Sequence, residues 1–491
     1  MISIRHMQNM ADEEKHKSLK KKSRSDEDNA PRNKVRAGAN RRKKIKPERE
    51  VDKDRLRILL ICDYNSAGAP TVIEHINSFY KYSRHEICIL SGLIQNQGDL
   101  PTLFEKGKPR PFDLDNFDIL IIHYSMTLSI DSYISQETKR RIRSFRGLKG
   151  LFLQDEYRFV DKTIATIKDL GFSIIFSCIP EDQLEQVYPK ALLPGVTVVN
   201  VLTGYAPFSL NFFKTKPLKD RKIDVCYRGR KYPYWHGRAG LEKWSIAEAF
   251  QKNKRRLGLK VDISYKENRR LYGLDWINFL SNSRAVLGVE SGCSVFDFSG
   301  KISASSEVYT DLLGGQKKVK YEEVRSKFFE TEEDLIDLSQ ISPRIFEAIA
   351  TKTLLVLYEG VYSGVIEPWI HYVPVKKDHS NLDEVARIIK DRKHSAEIIS
   401  RAYADVMLAE KYSYEKFIRD FDKLVSEKIS DGNLSKKIFK SADHYKNHYL
   451  YYNQFPYHAV LASADSTTSK KIRVWVRQLV IGLRNFILRK S

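Results

Sequence analysis

Between Arg57 and about Lys428 the chain alternates short, wholly apolar runs with stretches whose apolar residues recur at helical spacing. Arg57-Ile-Leu-Leu-Ile-Cys-Asp63 is the first such run, and Glu86–Leu90, Asp118–Ile122, Gly150–Leu153, Ser173–Ser177 and Val196–Val201 follow. Runs this short, with no polar alternation, predict strands covered on both faces, as in a parallel sheet. After the first run, Asn65-Ser-Ala-Gly-Ala-Pro70 and a helix from about Thr71 complete the strand, loop and helix N-terminus of a Rossmann-like unit. Thr203-Gly-Tyr-Ala-Pro-Phe-Ser209 then interrupts the rhythm and reads as the crossing to a second half.

The second series starts with Ile223-Asp-Val-Cys-Tyr227, continues through Ala285–Val289, and ends with Thr353–Leu357 and His371-Tyr-Val-Pro-Val375. Ahead of Thr353 lies Ser342-Pro-Arg-Ile-Phe-Glu-Ala-Ile-Ala350, a helix with Ser342 as its cap and Pro343 in its first turn. Ile345, Ala348 and Ile349 form its apolar face, and Glu347, near the positive end of the helix dipole, reads either as a diol-binding carboxylate or as one that stabilises only its own helix. The segment from Phe296 to about Asp334 is charged and without clear period, and is expected to be an irregular insertion. Helices to about Lys428 are expected to cross back and brace the halves. The division that follows is 1–54 basic tail, 55–205 first domain, 206–410 second domain, 411–440 bracing helices and 441–491 basic amphipathic end. The fold class is α/β, with two Rossmann-like domains.

Polar residues cluster where the strands of open α/β sheets end, which is where such sheets bind ligands. In the first half these are Ile-Ile-His-Tyr-Ser125, holding His123, and Leu-Phe-Leu-Gln-Asp-Glu-Tyr-Arg158, holding Asp155 and Glu156. Asp155 reads either as a general base or as a cap in a polar loop, Glu156 beside it as an acceptor contact, and His123 as catalytic or as a satisfied core histidine. In the second half, Arg228-Gly-Arg230 follows a strand, and guanidinium forks beside a glycine make a pyrophosphate grip. A solvated basic loop is the other reading.

Ser-Pro-Arg-x-Phe-Glu-Ala-x-Ala, then Leu-Leu-Val, Tyr-Glu-Gly360 and His371-Tyr-Val-Pro374, resembles the donor half of GT-B glycosyltransferases. Within them the bacterial group-1-like set, which includes CgeB-type proteins, is the nearest likeness. The resemblance is strongest from about Ile223 to Glu384 and absent from both ends. It implies a nucleoside-diphosphate sugar donor, a glycan or lipid-linked acceptor, and a cleft between the domains. It further implies that Glu347 holds the ribose, and that Arg228 and Arg230 neutralise the leaving diphosphate without a metal. Arg344, Glu290 and Ser291 of Val-Glu-Ser-Gly, and Glu359 with Gly360, would lie at the donor. His123 would address the acceptor hydroxyl, and Gly68 would allow close approach to the acceptor or serve as a plain turn. The family's Glu-x7-Glu spacing is broken, because Ser339 occupies the first position. No cofactor is implied beyond the nucleotide-sugar substrate.

Composition adds partners to this picture. Of 491 residues, 84 are Lys or Arg against 62 Asp or Glu, a formal charge of +22 concentrated toward the ends. Few large apolar residues precede Asp54, so that segment is expected to be disordered, either drawn to anionic lipid or merely solubilising. In Lys470–Lys490 the residues Ile472, Trp475, Val476, Leu479, Val480, Leu483, Phe486 and Ile487 share one helical face flanked by Arg473, Arg477, Arg484 and Lys490, the pattern of a helix lying in a lipid interface or of a terminal helix docked on the protein's own core. No apolar run is long enough to cross a bilayer, and five scattered cysteines lack metal spacing, so a cytoplasmic protein peripheral to the membrane's inner face is expected. A catalytically silent scaffold of the same fold is the second reading. Nucleic-acid binding, suggested by charge alone, lacks any base-stacking, zinc or helix motif.

Overall fold

The computed structural model describes residues 55–431, apart from 65–69, 95, 106–107, 129, 131–132 and 211–212. Gly68, the basic segment before residue 55 and the amphipathic stretch Lys470–Lys490 lie outside the described residues.

The apolar runs form two sheets. Strands β1 (Arg57–Cys62) and β2 (Glu86–Ser91) are followed by a hairpin, β3 (Thr102–Glu105) with β4 (Lys108–Pro111). Then come β5 (Ile119–Ile122), β6 (Leu148–Phe152), β7 (Ile174–Ser177) and β8 (Thr197–Asn200). Outside the hairpin they build one sheet, in the order β2-β1-β5-β6-β7-β8, and every pairing is parallel. The second sheet holds β9 (Ile223–Arg228), β10 (Val261–Ser264), β11 (Ser283–Gly288), β12 (Leu354–Tyr358) and β13 (Val373–Val375). Its order is β10-β9-β11-β12-β13, again parallel throughout.

Both faces of each sheet are covered, which explains the unbroken apolar runs. Leu59, Ile61, Leu120 and Ile122 pack on one side of the first sheet, while Ile58, Leu60, Ile119 and Ile121 pack on the other. The period of two along a strand divides one run between two cores. The helix Tyr414–Asp431 returns to the first sheet, and Tyr414, Phe417, Phe421 and Val425 close its second face. Near that helix, His85 accepts from the Leu56 amide at Nδ1 (3.3 Å) and meets Ser426 Oγ at Nε2 (3.2 Å). The Arg84 amide donates to Asp422 (2.8 Å) alongside.

The crossing between halves is buried and pinned to both. Thr203 donates to the Ile341 carbonyl, the Ser209 amide donates to Glu74 (2.7 Å), and the Ala206 amide donates to the Tyr412 carbonyl (2.8 Å). The insertion departs from expectation. It contains helices Lys301–Leu312 and Tyr321–Phe328, ordered because Val319, Val324 and Phe329 bury against Trp235 and Val295. Its sparse apolar residues are spread over two short helices, so no single period shows in the sequence. All five cysteines are free thiols, and no described helix is long and apolar enough to cross a membrane.

Candidate active site

In the second sheet the chain runs outward from β9 to β10 on one side and to β11 on the other, so a crevice opens where the two connections part. A cavity of about 310 Å³ lies there. Tyr227 to Arg230 after β9 and Gly288 to Ser291 around the end of β11 form two walls, and Ser342, Arg344 and Ile345 at the start of the Pro343–Ala350 helix form a third. Gln154 and Asp155 of the first domain close it from across the cleft. A second cavity, of about 320 Å³, shares Gln154, Asp155 and Arg230 and runs on beneath Phe152–Phe159, faced by Trp235 and His236.

Cations dominate the first cavity. Arg230 is exposed at the shared edge, its guanidinium 4.6 Å from the Tyr232 ring. Lys243, on the Gly237–Asn253 helix, donates to the Gly292 carbonyl (2.6 Å) and lies 4.4 Å from the same ring. Arg344 sits 5.3 Å from the Trp276 ring and donates through one nitrogen to the Arg228 carbonyl (2.8 Å). Arg270, also lining, pairs with Glu267 at 2.8 Å.

Arg228 is different, although it borders the same cavity. Its Nη1 donates to the Tyr227 and Asp262 carbonyls (2.9 and 3.0 Å), and its Nη2 pairs with the Asp262 carboxylate at 2.8 Å. The buried guanidinium ties β9 to β10 above the Phe279 ring. The expected pair of arginines is thus divided: Arg230 faces the cleft and Arg228 braces the strand ends.

Asp155 stands where the cavities meet. Its backbone is left-handed (φ +56°), a conformation aspartate tolerates better than most residues, and its side chain opens to the cleft. Protein surrounds it on most sides, so desolvation pushes its pKa up, against the pull of Lys243 and Arg230 and a hydrogen bond from Tyr157. Glu156, expected to contact the acceptor, is turned into the fold instead. It accepts from Ser177 Oγ (2.8 Å), the Cys178 amide (2.7 Å) and Tyr188 (2.7 Å), and burial lifts its pKa to about 7.

His123 is wholly buried and lines neither cavity. Its Nδ1 accepts from the Ser125 amide (3.1 Å), which leaves the proton on Nε2 to be donated to His75 Nδ1 (3.0 Å). Desolvation, then His75, drives its pKa well down. The residue is a satisfied core histidine. Glu347 is likewise one layer behind the cavity wall: it accepts from the Trp276 indole N–H (2.7 Å), and burial raises its pKa to about 7. Trp276, and not Glu347, lines the cavity.

Glu290 and Ser291 line the first cavity and organise its edge. Glu290 accepts from the Val361 and Tyr362 amides (2.9 and 2.7 Å), with its pKa raised chiefly by burial. Gly360 permits this, since a Cβ there would fall 2.5 Å from the Glu290 carboxylate. The Ser291 amide donates to the Gln340 carbonyl (2.7 Å). Glu359 is exposed and stands outside the lining. Lys243, Tyr232 and Trp276 carry no mark in the sequence, because each reaches the cavity from a separate element, whereas Gln154 belongs to the polar strand end that holds Asp155. Among the described residues no group of three or more His, Cys, Asp or Glu side chains could hold a metal ion.

Two doubly wound parallel sheets joined by a buried crossing, with the helix Tyr414–Asp431 returning to the first, constitute an α/β architecture of two Rossmann-like halves. No family model matches the chain, and no curated protein matches it. Solved structures similar in fold include an alpha-glucosyltransferase in complex with UDP, at 10% identity over 76% of this chain and 100% of that one, with a TM-score of 0.47. They include a DNA-modifying beta-glucosyltransferase, at 12% identity over 75% and 99%, TM-score 0.43. HepE of Anabaena in complex with UDP-glucose is another, at 13% identity over 77% and 100%, TM-score 0.39.

Proposed function

We propose that the protein is a glycosyltransferase that moves a sugar from a nucleoside diphosphate to a hydroxyl acceptor. The observation that carries this reading is the first cavity, where Arg230, Lys243 and Arg344 converge at the switch point of the second sheet and Asp155 faces them from the first domain. The diphosphate lies among the three cations, which compensate the charge that develops as the bond from the anomeric carbon to the diphosphate oxygen breaks. The Asp155 carboxylate takes the proton of the acceptor hydroxyl as that oxygen bonds to the anomeric carbon. Glu347 fixes the indole of Trp276, and Glu290 fixes the loop after β12, at the cavity's rim. The three cations provide the compensation that a divalent metal gives elsewhere, so chelation leaves turnover unchanged.

The Ser-Pro-Arg and Val-Glu-Ser-Gly motifs, which resemble those of CgeB-type proteins, support a bacterial glycan or lipid-linked acceptor. The basic flanks support a cytoplasmic enzyme held at an anionic membrane surface. Calorimetry with UDP, GDP and dTDP, followed by a screen of nucleotide-sugars for diphosphate release, tests the reading. Lys243→Ala and Arg344→Ala should each weaken the bound nucleotide by about tenfold. A wild-type protein that binds none of the three overturns it.

A further inference from the structure

The second cavity contains a histidine for which the reading above has no use. His236 is 5% exposed and lines this cavity, and its Nδ1 is buried without a hydrogen-bond partner. Its ring packs against Trp235 (3.9 Å between centroids), Tyr232 (4.7 Å) and Tyr157 (5.5 Å). In the same cavity the Nε of Arg158 is also buried and unpartnered, the guanidinium lying 5.2 Å from the Trp235 ring. A buried polar atom with no partner is uncommon in folded proteins and calls for a ligand or a role. Here two such atoms share one aromatic-lined space that opens onto Asp155 and Arg230.

We propose that the second cavity is the acceptor subsite and that it takes a pyranose ring, laid against Tyr157 and Trp235, with one hydroxyl hydrogen-bonded to His236. The inference rests on the transferase reading and supplies the chemical class of its acceptor. A sugar presents an apolar C–H face and hydroxyls that both donate and accept, which is what aromatic walls with a few polar groups recognise. Burial first, then Lys243, Arg230 and Arg158, push the His236 pKa down to about 3, so the imidazole stays neutral, with one donor and one acceptor nitrogen. One hydrogen bond joins the ring to the Pro233 backbone, and a hydroxyl, able to donate or accept, satisfies the remaining nitrogen in either tautomer. A phosphate, which is acceptor-only, satisfies only the donor.

The test uses the full chain with UDP present, and saturation-transfer NMR with methyl glucopyranoside, methyl galactopyranoside, methyl mannopyranoside and deoxycytidine as probes. At least one pyranoside should bind the wild type. His236→Phe, which keeps a ring but removes both nitrogens, should weaken it by about tenfold. His236→Gln, which restores a donor and an acceptor, should recover most of that loss, and UDP affinity by calorimetry should be the same in all three proteins. Thermal melts verify that the variants are folded. Pyranoside binding untouched by His236→Phe, binding of deoxycytidine to the exclusion of every pyranoside, or no pyranoside binding at all would overturn the proposal while leaving the donor site standing. Failure of the wild type to bind any nucleotide would instead remove the reading beneath it.

Discussion

Aspartate at position 155 combines two properties that few residues share: it tolerates left-handed backbone, and it carries a carboxylate into the cleft. Asp155→Asn should lower sugar transfer by a hundredfold or more, roughly the value of a positioned base, with little change in UDP affinity. Because burial raises its pKa, activity should fall away on acidification at a pH above the ordinary aspartate range. Stability follows a different set of groups. Glu74, Glu156 and Glu347 are each lifted by burial from 4.5 to about 7, so between those values the folded chain holds protons that the unfolded chain has released. Their contribution is therefore greatest at the acidic side of the window and declines as the pH rises through it. His75 and His123, kept neutral by burial, act oppositely and weaken the fold below 6.5. A comparison of variants separates the two. Glu156→Gln should melt with a flatter pH dependence than the wild type from about pH 5 to about pH 8, and an unchanged slope would contradict its raised pKa.

At the scale of elements, burial on both faces made the strands legible: β1, β5, β7 and β12 are continuous apolar runs because each feeds two cores. The Pro343–Ala350 helix was equally plain, with Ser342 accepting from the Arg344 amide as its cap. β10 carries no strand signal, because this edge strand is only half-buried and its Val-Asp-Ile-Ser pattern is weak. Strand ends also located the cleft. What they did not reveal is which way each side chain turns: Asp155 and Arg230 point into it, while Glu156, one residue on from Asp155, and Arg228, two before Arg230, serve the fold. Lys243 was invisible for a related reason, since a lysine inside an amphipathic helix has the spacing of any solvated one. One loop joins local backbone to this arrangement. Gly292 has φ +110°, a Cβ there would fall on the Leu338 carbonyl oxygen, and its own carbonyl receives Lys243. Gly292→Ala should destabilise the protein by on the order of 3 kcal/mol in denaturant melts and weaken UDP as well, because Lys243 loses its fixed acceptor.

Across the whole molecule, the domains are connected by more than the crossing. Gln340 donates to the Cys178 carbonyl, the Asp337 amide donates to Gln183 (2.6 Å), and the Tyr157 and Asp297 segments exchange backbone hydrogen bonds with Phe159 N donating at 2.9 Å. A ligand held between the halves should therefore stabilise both at once. UDP at a hundred times its Kd should add about 2.7 kcal/mol, seen as an upward shift of one cooperative transition. Two transitions, only one of them moved by UDP, would show the halves to be independent. Charge belongs to this scale too. The full chain should sediment with anionic vesicles at low salt, and removal of Lys470–Ser491 should release it.

The His85 corner bears on how such tethering would work. The backbone leading into β1 and the last turns of the Tyr414–Asp431 helix both bond to that one imidazole, so the two flanking basic segments set out from neighbouring points on a single half of the molecule. A surface that gripped them would hold the half carrying Asp155 first, and through the hydrogen bonds between the domains the half bearing Lys243 and Arg344 with it.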